Sequence, residues 1–116
     1  MEQPYIIISL QTKQLFLKKE NNILATFPIA IGKTDSPTPL GVWKIMNKKI
    51  LADSSAFGTH WLGLSLPGYG IHGTNQPELI GSAVSGGCIR LQNQDIQTLF
   101  SQVHIGTTVI IQLYFA

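Results

Sequence analysis

The apolar positions of this chain follow strand periods over most of its length and a helical period only once. Tyr5 to Leu10 is a β-branched run and Leu15-Phe16-Leu17 a second, separated by the polar Gln11-Thr12-Lys13-Gln14, so the two read as strands joined by a tight turn. Lys19-Glu20-Asn21-Asn22 supplies the next turn, and Ile23 to Ile31 reads as a third strand. Pro28 within it implies an edge position or a bulge, because proline has no N–H for a ladder. Gly32 to Gly41 carries glycine and proline breakers with Asp35 and Ser36 and reads as a loop, of the kind that often forms a binding surface. Val42 to Met46 fits a strand with one buried face, Asn47 to Ala56 a surface loop, and Phe57 to Leu64 a strand weakened by glycine. Pro67-Gly68-Tyr69-Gly70 is a turn that delivers Ile71-His72.

The helical stretch follows. Asn93 suits an N-cap, Asp95 suits the positive end of the helix dipole, and Ile96, Leu99, Phe100 and Val103 fall at i, i+3, i+4, i+7. Gly106 stops it, and Thr107 to Phe115 reads as a closing strand with Val109, Ile111, Leu113 and Phe115 on one face. The expected fold is mostly β: a β-sandwich or partly closed barrel of about seven strands with one packed α-helix.

Composition narrows the function classes. At 116 residues, 44% hydrophobic and 12% charged, the chain reads as one globular domain, 1–116, large enough to bury a core without metals or disulfides. A net charge of +2, with Lys13, Lys18, Lys19, Lys33, Lys44, Lys48 and Lys49 scattered, does not describe a nucleic-acid surface. No run approaches the ~20 apolar residues of a membrane helix, and Met1-Glu2-Gln3-Pro4-Tyr5 lacks the basic and apolar regions of a signal peptide, so a soluble protein with no membrane span and no export route of its own is expected. Three scattered histidines and one cysteine show no metal-ligand spacing, and no P-loop or dinucleotide glycine pattern is present; no metal or cofactor is expected.

Chemistry concentrates around Cys88, the sole cysteine. It follows Gly86-Gly87 and stands just ahead of the helix, where backbone N–H groups can face a substrate oxygen. His72 is the candidate base, provided the segment from Asn75 to Ser82 folds back as a loop. Arg90, two residues from the thiol on an extended chain, lies on the same side as Cys88 and suits a carboxylate. The local pattern alone fits a reactive nucleophile and an inert buried thiol about equally.

These residues resemble the L,D-transpeptidase catalytic domains of the YkuD type, which cross-link bacterial peptidoglycan. Ile71-His72-Gly73-Thr74-Asn75 resembles the family's histidine segment, and Ser85-Gly86-Gly87-Cys88-Ile89-Arg90-Leu91 its Ser-x-Gly-Cys-Ile-Arg motif. Thr38-Pro39-Leu40-Gly41, Phe57-Gly58, Pro67-Gly68-Tyr69-Gly70 and the Asn93-to-Ile111 stretch extend the likeness over nearly the whole chain. The resemblance implies Cys88 as nucleophile, His72 as general base and the Gly73 carbonyl as its orienting partner. It implies an oxyanion hole from the N–H groups of Gly87 and Cys88, and a substrate side formed by Arg90, Ser85, Gly86, Thr74 and Asn75. Many members carry a histidine where this chain has Gly86. The implied reaction is 3→3 cross-linking of stem peptides through a thioester at the cell wall or in the periplasm, with carbapenem-type β-lactams as inhibitors. An L,D-carboxypeptidase, a D-amino-acid exchange activity or a non-catalytic wall-binding module would retain the same fold.

Overall fold

The computed structural model describes residues 3–52 and 55–115. In chain order the elements are β1 (Tyr5–Ser9), β2 (Gln14–Lys19), β3 (Asn22–Pro28), β4 (Ile31–Gly32), β5 (Gly41–Ile50), β6 (His60–Leu64) and β7 (Gly70–His72). A single 3-10 turn (Pro77–Leu79) follows, then β8 (Ala83–Ser85), β9 (Ile89–Arg90), α1 (Asn93–Gln102) and β10 (Thr108–Gln112). Eight strands form one curled half-barrel sheet in the order β3-β2-β1-β10-β5-β6-β7-β9, and β4 pairs with β8 as a separate two-stranded ribbon.

Local pattern accounts for much of this. In β2 the buried residues alternate, Leu15 and Leu17 inward, as a half-covered strand requires. Ile6, Ile7 and Ile8 of β1 are all buried, because β1 lies inside the sheet between β2 and β10. The last strand is threaded between the first and the middle of the chain: β10 runs parallel to β1 (Ile6 opposite Val109) and antiparallel to β5 (Trp43 opposite Val109). Ile96, Leu99 and Val103 of the α1 region join Leu62, Ile71 and Ile89 in one apolar cluster, so the helix seals the concave side under β6 and β7.

Four expectations need correction. Ile23 to Ile31 is not one strand: β3 lies at the sheet edge, as Pro28 implied, but ends there. The chain then crosses to the other end of the sheet, where Ala30 exchanges hydrogen bonds of 2.9 and 3.0 Å with Arg90. Asn47 to Ile50 is strand rather than loop, because a register shift between Ile45 and Asn47 lets β5 continue past the point where its alternation fails. Phe57 to Thr59 is a turn, and β6 begins at His60. The closing strand ends at Gln112, so Leu113 is 56% exposed instead of facing inward.

The polar tail of β5 has a structural task. α1 has no basic residue in its last turn, and its C-terminal carbonyls are served from another element. Lys48 Nζ donates to the Phe100 and Val103 carbonyls at 2.8 Å each and sits 4.3 Å from the centre of the Phe100 ring. A cation at this end opposes the negative pole of the helix. Replacing Lys48 with Met keeps the stem but removes the charge and both bonds, and should lower unfolding free energy by about 2 kcal/mol. Lys49→Met, on the exposed side, should change it by less than about 0.5 kcal/mol. Urea unfolding of the two variants checks the contrast.

Candidate active site

The site lies where β7 and β9 run side by side. Their parallel register sets His72 beside Arg90, and the Leu91 N–H donates to the His72 carbonyl at 2.8 Å. Cys88 immediately precedes β9. His72, Cys88 and Arg90 thus share one cavity of about 300 Å³, whose walls are completed by Ala56, Phe57, Gly68, Ser85 and Gly86.

His72 is 2% exposed and tightly oriented. Its Nδ1 lies 2.6 Å from the carbonyl oxygen of Gly73. A carbonyl only accepts, so Nδ1 carries the proton and Nε2 is left with its lone pair. Trp61, its cross-strand partner on β6, stacks on the imidazole at 5.5 Å and 14°, and the Phe57 edge meets it at 4.9 Å and 79°. Burial lowers the His72 pKa to about 4; the Gly73 carbonyl opposes this shift, the Arg90 charge adds to it, and the Phe57 backbone also opposes it. The imidazole is therefore neutral at pH 7.

The thiol is neutral at rest as well. Burial raises the Cys88 pKa, against opposing contributions from a Gly70 backbone hydrogen bond and the Arg90 charge. Cys88 Sγ lies 3.9 Å from the Gly68 carbonyl, a weak thiol hydrogen bond. The Pro67–Gly70 turn therefore wraps the sulfur, a role that its Pro-Gly composition alone did not announce. Gly70 must be glycine, since a Cβ there would lie 2.6 Å from the Trp61 ring.

The loop carrying Cys88 is held from two sides. Ser85 Oγ accepts from the Gly87 N–H at 3.0 Å and donates to the Cys88 carbonyl at 2.7 Å. Buried Thr38 donates to the Gly87 carbonyl at 2.9 Å and accepts from the Gly32 N–H, so part of the Gly32–Gly41 loop serves as a brace. Gly87 adopts φ +125°, and a Cβ there would meet the Tyr69 ring at 2.5 Å. Gly86 is exposed, and a Cβ on it would meet nothing within 4 Å, so that flank of the cavity is open.

Three expected placements differ. The Gly87 N–H, expected among the oxyanion donors, is already occupied by Ser85 Oγ. Thr74 and Asn75, expected on the substrate side, do not line this cavity. The chain turns away after Gly73, where the Thr74 N–H bonds to Asn93 Oδ1 and Thr74 Oγ1 accepts from the Gln76 N–H, leaving Asn75 exposed. Asn93, read as an N-cap, is the first residue of α1, with Gln92 at the cap. Its Oδ1 bonds other elements instead of its own helix. Among the described residues no helix is long and apolar enough to cross a membrane.

Residues 3–111 match the YkuD family of L,D-transpeptidase catalytic domains. A Bacillus subtilis protein named as an L,D-transpeptidase, YkuD, is 47% identical over 109 residues, 93% of this chain and 66% of that protein. The chain thus spans just under two thirds of that relative. The catalytic domain of the E. faecium L,D-transpeptidase superposes with a TM-score of 0.82 at 29% identity, covering 97% of this chain and 98% of that one. The L,D-transpeptidase LdtMt1 in complex with imipenem gives 0.82 at 20% identity, covering 96% and 59%, a likeness of fold.

The depressed His72 pKa has a consequence for stability. The unfolded histidine titrates near 6.5 and the folded one near 4, so between these values the unfolded chain binds more protons. The contribution is complete above about pH 6.5 and is lost as pH falls toward 4, up to roughly 3 kcal/mol at about 1.4 kcal/mol per unit. Burial lowers His60 in the same direction, so the test is a difference. Urea unfolding at pH 7 and 4.5 should show a markedly shallower acid loss in His72→Asn than in the parent; equal losses would refute the assignment.

Proposed function

This chain belongs to the YkuD family of L,D-transpeptidase catalytic domains, and from that premise we propose that residues 1–116 act as one catalytic unit performing cysteine-dependent acyl transfer on peptidoglycan stem peptides. The observation that carries the proposal is the neutral, aimed imidazole. Its Nδ1–H is held by the Gly73 carbonyl, and its Nε2 lone pair is available in the cavity that also holds the Cys88 thiol.

The steps follow from these protonation states. Cys88 Sγ attacks the carbonyl carbon joining the third stem residue to its terminal D-alanine, while His72 Nε2 takes the thiol proton. Because both groups are neutral at rest, this transfer accompanies attack and does not precede it as a standing ion pair. The oxyanion is received by the Cys88 N–H, since the Gly87 N–H is committed to Ser85. The imidazolium returns its proton to the amine of D-alanine as the C–N bond breaks, leaving a thioester on Cys88. The side-chain amine of a second stem's third residue then attacks the thioester. His72 accepts that proton and passes it to the departing sulfur, and a 3→3 cross-link results. Arg90 on the cavity wall binds the terminal carboxylate of the donor. The place of work is the cell wall or periplasm.

Incubation with imipenem followed by intact-mass measurement tests the nucleophile. One adduct is expected on the parent and none on Cys88→Ala, and His72→Ala should slow adduct formation by about 10²–10⁴-fold. An adduct that persists in Cys88→Ala removes Cys88 as nucleophile, and no adduct on the parent favours a non-catalytic wall-binding module. With purified muropeptides, cross-linked dimers are expected; tripeptides alone would make this an L,D-carboxypeptidase.

A further inference from the structure

We propose that Asn93 is the positioning residue for the His72 base, acting through the peptide that joins Gly73 to Thr74. That peptide is trans, so its carbonyl and its N–H point in opposite directions within one rigid plane. The carbonyl end, Gly73 O, takes the His72 Nδ1 proton at 2.6 Å. The N–H end, from Thr74, donates to Asn93 Oδ1 at 3.2 Å. A hold on one end sets the direction of the other. Asn93 therefore aims the carbonyl that aims the imidazole.

One further hydrogen bond and two closely packed glycines make Asn93 a fixed post. Its Oδ1 also accepts from the Thr59 N–H at 3.2 Å, which ties in the turn carrying Phe57, whose ring edge packs on His72. The approach is closed by glycines: a Cβ on Gly73 would lie 2.2 Å from Asn93 Oδ1, and one on Gly58 2.3 Å from it. With no side-chain bond to its own helix start, Asn93 spends its carbonyl on the 58–59 turn and the 73–74 loop. Accepting the Thr74 N–H also polarises the peptide, which strengthens Gly73 O as an acceptor and raises the basicity of His72 Nε2.

The inference rests on His72 serving as base, so its test has one readout independent of activity. The parent, Asn93→Ala and Asn93→Asp are compared by NMR of the His72 Nδ1 proton and by the pH dependence of imipenem acylation. The titratable or charged groups facing His72 from the neighbouring segments, Cys88 and Arg90, are unchanged in all three, as is Asp95 on α1. Asn93→Ala should lose the hydrogen-bonded Nδ1 proton signal to exchange with water and acylate about 10–100-fold more slowly, as a misaimed base does. Its acid limb should move to lower pH, because the carbonyl no longer supports the imidazolium. Asn93→Asp keeps an acceptor and adds negative charge, so it should retain the signal, recover the rate to within several-fold and move the acid limb to higher pH. A role confined to holding the fold predicts a folded Asn93→Ala whose acid limb stays in place, and that result, or an Ala variant with signal and rate intact, overturns the proposal. If Asn93→Ala does not fold, Asn93→Ser, whose shorter side chain does not reach the Thr74 N–H, takes its place in both readouts with the same expected losses. Absence of acylation in the parent would overturn the catalytic reading, while the Nδ1 proton would still decide the positioning.

Discussion

A buried imidazole kept neutral and aimed by the carbonyl of the next residue is the constraint on which this site depends. The Gly73 carbonyl lies 2.6 Å from Nδ1, on a peptide whose other end is pinned to α1. Carboxylates commonly orient catalytic histidines, but a carboxylate would raise the imidazole pKa. A carbonyl fixes the tautomer with a smaller effect on basicity, and burial, with the Arg90 charge adding to it, keeps the ring uncharged. The close approach of Asn93 explains why residue 73 is glycine, since a side chain would occupy the space of Asn93 Oδ1.

The thiol side is organised by hydrogen bonding within a short loop. Ser85 spans the turn from the Gly87 N–H to the Cys88 carbonyl, and Thr38 reaches in from a distant loop to the Gly87 carbonyl. These bonds hold Gly87, the residue before Cys88, in a left-handed conformation open only to glycine at low cost. Burial holds the thiol protonated. The empty flank at Gly86 leaves the cavity open on that side.

The scaffold brings these pieces together by crossing connections. β10 closes between β1 and β5, and the Ala30 crossing secures the outer side of β9, so Arg90 is held by pairing on both sides. α1 is anchored at both ends by residues from elsewhere in the chain: Lys48 at its C-terminal carbonyls, and the Thr59 and Thr74 amides at Asn93.

The sequence alone determined the elements whose signal is periodic, the family, and His72, Cys88 and Arg90 as residues of its two motifs. Ile96, Leu99 and Val103 announced a helix, the β-branched runs announced the first strands, and two ordered motifs announced the catalytic-domain family, because each signal lies in the spacing of a few neighbouring residues. Tertiary structure decided what depends on partners far along the chain. The polar Asn47–Ile50 segment became strand and helix cap, Asn93 left its expected cap position to hold the histidine loop, and the Gly87 N–H went to Ser85. A polar side chain has a donor or acceptor to satisfy but no periodicity that names its partner, so its role was settled only when the folded chain brought the partner within reach.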